Sequence, residues 1–163
     1  MPWLIAAILA ANLSQPLASP QQVAHDALAG KWGPLAPWQE EGYALIAAGK
    51  AERKVAWITY YLSGESGCDN VTASGQPTIE GKTASMLGLR FPSKKHPDRR
   101  WGYALVSLPK GFTLRRIEDT GSSANQGRAE RKGAQTWIDL YTTDWGKQNT
   151  TYVRPVWVTR RAT

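Results

Sequence analysis

The stretch Tyr103-Ala104-Leu105-Val106-Ser107-Leu108, then Pro109-Lys110-Gly111, then Phe112-Thr113-Leu114-Arg115-Arg116-Ile117-Glu118, decides the class of fold. Each flanking run has the length and the β-branched, aromatic and leucine content of a strand, and Pro-Lys-Gly supplies turn chemistry between them. The second strand ends in Asp119-Thr120-Gly121, an acid entering a turn.

Other strands appear on both sides of this core. Val55 to Leu62 is β-rich and bounded by Gly64, and Lys82 to Leu89 reads as a shorter strand or turn. Trp137 to Tyr141 and Val153 to Thr159 close the series, with Pro155 predicting an edge position or a bulge in the last strand. Between them, Ser63 to Asn70, Phe91 to Arg100 and Ser122 to Gln135 are polar or Pro- and Gly-containing and predict loops. Several short strands with turn signals indicate an all-β barrel or sandwich. Ahead of it, residues 19–54 form an N-terminal arm with helices expected around Gln22 to Leu28 and Gln39 to Lys50, the latter stopped by Gly49. The barrel domain takes residues 55–163.

The chain begins with an unbroken apolar run, Trp3 to Ala11, followed by a polar, Pro-containing stretch and Pro16-Leu17-Ala18. A run of this length is too short to span a bilayer and reads as a signal peptide over residues 1–18, which predicts a secreted or periplasmic protein without stable membrane insertion after processing. Cys68 is the single cysteine, so an internal disulfide is excluded. No metal-ligand spacing or cofactor fingerprint occurs, and neither a metal nor a cofactor is expected. The 163 residues carry a formal charge of +7, concentrated at Lys94-Lys95, Arg99-Arg100, Arg115-Arg116, Arg128 to Lys132 and Arg160-Arg161. Such a surface attracts polyanions. No helix-turn-helix, finger or RNP-like segment supports nucleic acid as the partner, and for an exported chain the acidic cell wall is the natural one.

Trp137-Ile138-Asp139-Leu140-Tyr141 sets a carboxylate in an otherwise apolar strand. By alternation Trp137, Asp139 and Tyr141 share one face. An acid between two aromatics is poorly solvated, which raises its pKa and suits it to general acid work. Asp119, at the end of its strand, suits an Asx-type role in its own turn as well as a catalytic one.

Four segments in order, Thr72-Ala73-Ser74-Gly75, Leu108-Pro109-Lys110-Gly111, Glu118-Asp119-Thr120-Gly121 and Ile138-Asp139-Leu140, resemble those of "3D" domains. These are small double-psi β-barrels of cell-wall-active proteins, related to the catalytic barrel of MltA-type lytic transglycosylases. The resemblance covers roughly Trp57 to Arg160. It implies a double-psi β-barrel in which Asp139 is the catalytic acid and Asp119 its partner. It also implies peptidoglycan glycan strands as substrate and cleavage of the bond between N-acetylmuramic acid and N-acetylglucosamine. Tyr60, Tyr61, Thr72, Ser74, Thr120, Trp137 and Tyr141 are the candidate substrate contacts. Two departures stand out. Ser122 to Thr136 is longer than the family spacing, and Tyr103 to Pro109 lacks the third family aspartate. That second departure keeps a non-catalytic peptidoglycan-binding or scaffold barrel as the rival reading. Asp119-Thr120-Gly121-Ser122-Ser123 also spells an aspartic-protease signature, which would require a homodimer sharing one proton between two Asp.

Overall fold

The computed structural model describes residues 18–65, 70–87 and 91–159. The apolar run Trp3 to Ala11 and Cys68 lie outside the described residues.

Two helices open the fold, α1 (Pro20–Leu28) and α2 (Pro37–Ala47). Both begin with proline, whose fixed φ and missing N–H suit a first turn. Ser19 Oγ caps α1 by accepting from the Gln22 N–H, and Gln39 reaches back from α2 to accept from the Ala36 N–H at 2.9 Å. Val23, Ala24, Ala27, Tyr43 and Ile46 of this pair pack against Tyr103, Leu105 and Leu114 on the outside of the sheet.

Six strands follow: β1 (Ala51–Leu62), β2 (Thr83–Met86), β3 (Gly102–Leu108), β4 (Gly111–Asp119), β5 (Thr136–Thr142) and β6 (Tyr152–Thr159). They close into a barrel in the order β1-β5-β2-β4-β3-β6. The pairs β1–β5 and β2–β4 are parallel and the other four antiparallel. Exchanging β1-β2-β3 for β4-β5-β6 leaves this ring unchanged, which is the internal two-fold of a double-psi barrel. Ala56, Ile58, Ala84, Met86, Ala104, Val106, Ile117, Ile138, Leu140, Val156 and Val158 point inward and fill it. Alanines opposite branched residues are what so narrow an interior accommodates.

β1 and β2 are consecutive in sequence but not neighbours in the ring, and the same holds for β4 and β5. The β1–β2 connection therefore crosses β5, and the β4–β5 connection crosses β2. Each touches the other half of the barrel. From the first, the Ala73 N–H reaches Asp119 and the Ser74 N–H reaches the Glu118 carbonyl at the end of β4. From the second, the Gln135 N–H donates to the Val55 carbonyl and the Gln135 side chain accepts from the Val55 N–H in β1.

Two local expectations need correction. The Ser122 to Gln135 stretch is not all loop; it contains helix α3 (Ser123–Arg131). It has no apolar stripe to announce it, because Ala129 is its one buried residue, packed with Ala134 against Trp137 and Trp57. Its other tie is the Gln126 amide, which bonds the Gln135 carbonyl and the Trp137 N–H. Strand β1 starts at Ala51, earlier than composition indicates, because Ala51 to Lys54 pair with Val156 to Thr159. The Val71 to Gly75 segment is a turn with a single bridge from Val71 to Pro77, and Gly75 supplies its positive φ of 82°. Pro155 does occupy a local edge: β6 is paired to β1 at that residue, while its ladder to β3 begins at Val156.

Helix α2 approaches the barrel at Gly42, where a Cβ would fall 2.8 Å from Tyr103 Cδ1 and 2.9 Å from Leu114 Cδ2. Gly42→Ala is expected to destabilise the fold by about 1–3 kcal/mol through overpacking. A lower urea midpoint with an unchanged m-value would register it.

Candidate functional site

The registers of three strand pairs place a polar row across the outer wall. Thr59 of β1 lies beside Asp139 of β5, Asp139 beside Ser85 of β2, and Ser85 beside Asp119 of β4. A bulge at Ala84/Ser85 shifts the last of these pairings, so that Ser85 faces Asp119 rather than Glu118.

Asp139 is the most perturbed acid of the row. Burial pushes its carboxyl up to about 7, the hydrogen bond from Thr59 opposes the rise, and the charges of Glu65 and Asp119 add to it. The Trp137 Nε1–H donates to Thr59 Oγ1 at 2.8 Å, and Thr59 Oγ1 lies 2.7 Å from Asp139 Oδ1. An indole N–H can only donate. Thr59 must accept it, so its own hydrogen points at Asp139 Oδ1. Asp139 Oδ2 makes no hydrogen bond among the described residues, and it is the oxygen left for a ligand.

Asp119 is tied differently. Its Oδ1 accepts from the Thr120 N–H of its own turn and from the Ala73 N–H of the crossing loop, both at 2.9 Å. That loop is braced by the Thr72 and Ser74 hydroxyls at 2.8 Å from one another and by Thr72 Oγ1 donating to the Gln76 carbonyl. Beneath it the buried Glu118 carboxylate takes Arg116 Nε at 2.6 Å, Thr83 Oγ1 at 2.9 Å and Lys82 Nζ at 3.5 Å. Gly121 completes the corner for a steric reason. A Cβ there would lie 2.7 Å from Leu87 N and 2.9 Å from the Trp137 ring.

Of the residues named from sequence, Asp139, Asp119, Trp137 and Thr120 gather here, with Thr72 and Ser74 in the adjoining loop. Trp137 and Tyr141 are each only 5% exposed, so they form the wall of the site and offer little open stacking surface. Tyr61 and Tyr141 pack together at 5.3 Å. Tyr60 is not part of this face; it packs against the barrel core, and Lys147 lies over its ring. Thr59 and Ser85 were not singled out in the sequence. Thr59 sits between Trp57 and Tyr61 on the same period-two face of β1, the pattern that drew attention to Asp139 in β5.

A carboxyl with a pKa near 7 holds a proton at neutral pH and can release and recover it within one reaction cycle. Among the described residues, no three His, Cys, Asp or Glu side chains gather as a metal ion would require. No family model matches the chain, and no curated protein matches it.

The raised pKa of Asp139 has a signature in stability. Unfolded, the carboxyl ionises near pH 4; folded, it keeps its proton to about pH 7. Between these values the native state binds the extra proton, so stability falls as pH rises through the window and levels off above it. Asp139→Asn keeps an acceptor for Thr59 without the buried charge. It is expected to raise stability at pH 8 by about 1–3 kcal/mol and to change it little at pH 4, as thermal melts at the two pH values would read.

Proposed function

We propose that this chain is an exported cell-wall protein that cleaves peptidoglycan glycan strands as a lytic transglycosylase, with Asp139 acting first as acid and then as base. The observation that carries the reading is the half-buried Asp139 carboxyl, which Thr59 meets at Oδ1 and whose Oδ2 has no hydrogen bond among the described residues; burial pushes its pKa up to about 7. The order of the four sequence segments supports the substrate class. The net charge of +7 supports attraction to an anionic wall.

In this mechanism Asp139 Oδ2–H protonates the glycosidic oxygen between N-acetylmuramic acid and N-acetylglucosamine as the C–O bond breaks. The resulting carboxylate takes the proton from the muramyl 6-hydroxyl, whose oxygen attacks C1 and closes a 1,6-anhydro ring. Asp139 ends reprotonated and no water is consumed. This differs from hydrolysis by two carboxylates, in which a second acid activates water or bonds to the sugar. Asp119 contributes negative charge. That charge helps to hold the proton on Asp139 and favours the oxocarbenium-like transition state.

The second reading is a non-catalytic wall-binding barrel. It is favoured by β3, which has no acid at the third family position, and by the commitment of Asp119 Oδ1 to two backbone N–H groups. Purified protein incubated with peptidoglycan separates the two. Soluble anhydro-muropeptides from wild type and a loss of roughly 10²-fold or more in Asp139→Asn support the enzyme. Salt-sensitive sedimentation with the wall and no soluble product supports the binder and overturns the enzyme.

Activity should follow the protonated form of Asp139 and decline above about pH 7. The Thr59 hydrogen bond favours the carboxylate, so Thr59→Val should move the alkaline limb of the kcat/KM profile upward by about one pH unit. An unmoved limb would remove Thr59 from this role.

A further inference from the structure

The interior-facing side chains at one end of the barrel include cations, unlike the apolar set that fills the rest. Arg115 of β4 is 5% exposed, and among the described residues its guanidinium donates to neutral acceptors, the Tyr141 carbonyl at 3.2 Å and Thr113 Oγ1 at 3.3 Å. In β6, Tyr152, Val156 and Val158 face the barrel core, so by alternation Arg154 faces it as well. Arg154 Nε is buried with no hydrogen-bond partner among the described residues. Lys147, from the short 3-10 turn Trp145–Lys147, sits 5.2 Å from the ring centre of Tyr60, which packs against the same core. Tyr152 is paired with Ile58, one inward-facing position from Tyr60, and both rings pack against the same end of the core; the charge of Arg115 reaches Tyr60.

The charge at this mouth is unbalanced. Among the described residues, Glu80 is the carboxylate whose field reaches Arg115. Glu80 is already engaged by the Thr142 hydroxyl and the Thr143 N–H. The turn that carries Lys147 has its own carboxylate, Asp144, which is held by the Gly146 N–H. Arg115, Arg154 and Lys147 still outnumber these two committed carboxylates. A guanidinium buried without a counter-charge is costly, and a buried donor without an acceptor calls for a missing partner.

We propose that this end of the barrel binds a phosphate dianion or a phosphomonoester, held by Arg115, Arg154 and Lys147 with the Tyr60 and Tyr152 rings beside it. A guanidinium fork bonds anion oxygens in pairs. Phosphate offers more oxygens than a carboxylate does, enough to serve two guanidinium groups and an ammonium at once. The site uses the inner face of β1, whereas Asp139 and Thr59 are on the outer wall, so it stands independently of the glycan reading.

The test is titration of the full chain with inorganic phosphate at pH 8 and fixed ionic strength, with acetate as the parallel probe. The readout is the NMR shifts of the Arg115 and Arg154 Nε–H groups. Saturable shifts with phosphate, acetate weaker by about tenfold or more, and a phosphate affinity reduced about tenfold or more by Arg154→Gln support the site. Lys147→Gln provides the second variant, because it lies outside the strands, and should weaken phosphate by a smaller factor. Non-saturating shifts, equal response to acetate, or unchanged phosphate affinity in both variants would overturn the proposal.

Discussion

Closure of six short strands around a narrow interior is the constraint on which the rest of this molecule depends. β2 has only four residues and must pair with β4 on one side and β5 on the other. Its ladder to β4 carries the bulge at Ala84/Ser85, and the bulge is what brings Ser85 opposite Asp119. The ring order makes the β1–β2 and β4–β5 connections cross a neighbouring strand. Those crossings deliver Ala73 to Asp119 and helix α3 to Trp57 and Trp137. The candidate site is therefore built by the topology, from the same connections that lock the two halves of the barrel together.

Two neighbouring acids illustrate how partnering decides what a buried carboxylate does. Glu118 is fully buried, but it has Arg116, Lys82 and the Thr83 hydroxyl around it. Both partners would be left unpaired by its removal, so its work is to pin the end of β4. Asp139 is offered one neutral hydroxyl and two like charges. An isolated buried carboxylate of this kind gains by keeping its proton. The Trp137–Thr59 chain then fixes the hydroxyl direction and, with it, which oxygen of Asp139 is occupied. Burying an acid so poorly compensated lowers stability at neutral pH, the kind of cost that accompanies a group held for function rather than packing.

Much of the architecture was legible because its signals are local. Strand period, the Pro109-Lys110-Gly111 turn and Gly49 behind the second helix each act over a few residues. Asp139 was legible for the same reason, as a carboxylate in an apolar strand. What was not legible depends on partners distant in sequence. Thr59 acquires meaning from the register of β1 with β5, which no single segment encodes. Arg115-Arg116 reads as surface charge, yet alternation sends Arg115 into the barrel and Arg116 to Glu118 and the Trp101 ring. Helix α3 was hidden because Ala129 is its one buried contact and its polar face resembles a loop.

Strand β1 ties these threads together. Thr59 and Tyr61 are on its outer side with Asp139, and Tyr60 between them is on the inner side with Arg115. A strand side chain cannot serve both faces, since the pleat reverses direction at every residue. The outer acid and the inner cations are thus separated by the thickness of one strand, and the described side chains place no hydrogen bond between them. Coupling between the two regions would pass through strand backbone, either β1, which β5 and β6 hold on both sides, or β5, whose Tyr141 carbonyl accepts from Arg115. A ladder paired on both edges resists such displacement, so substitutions at Thr59 and at Arg154 should combine additively even though both side chains belong to one small barrel.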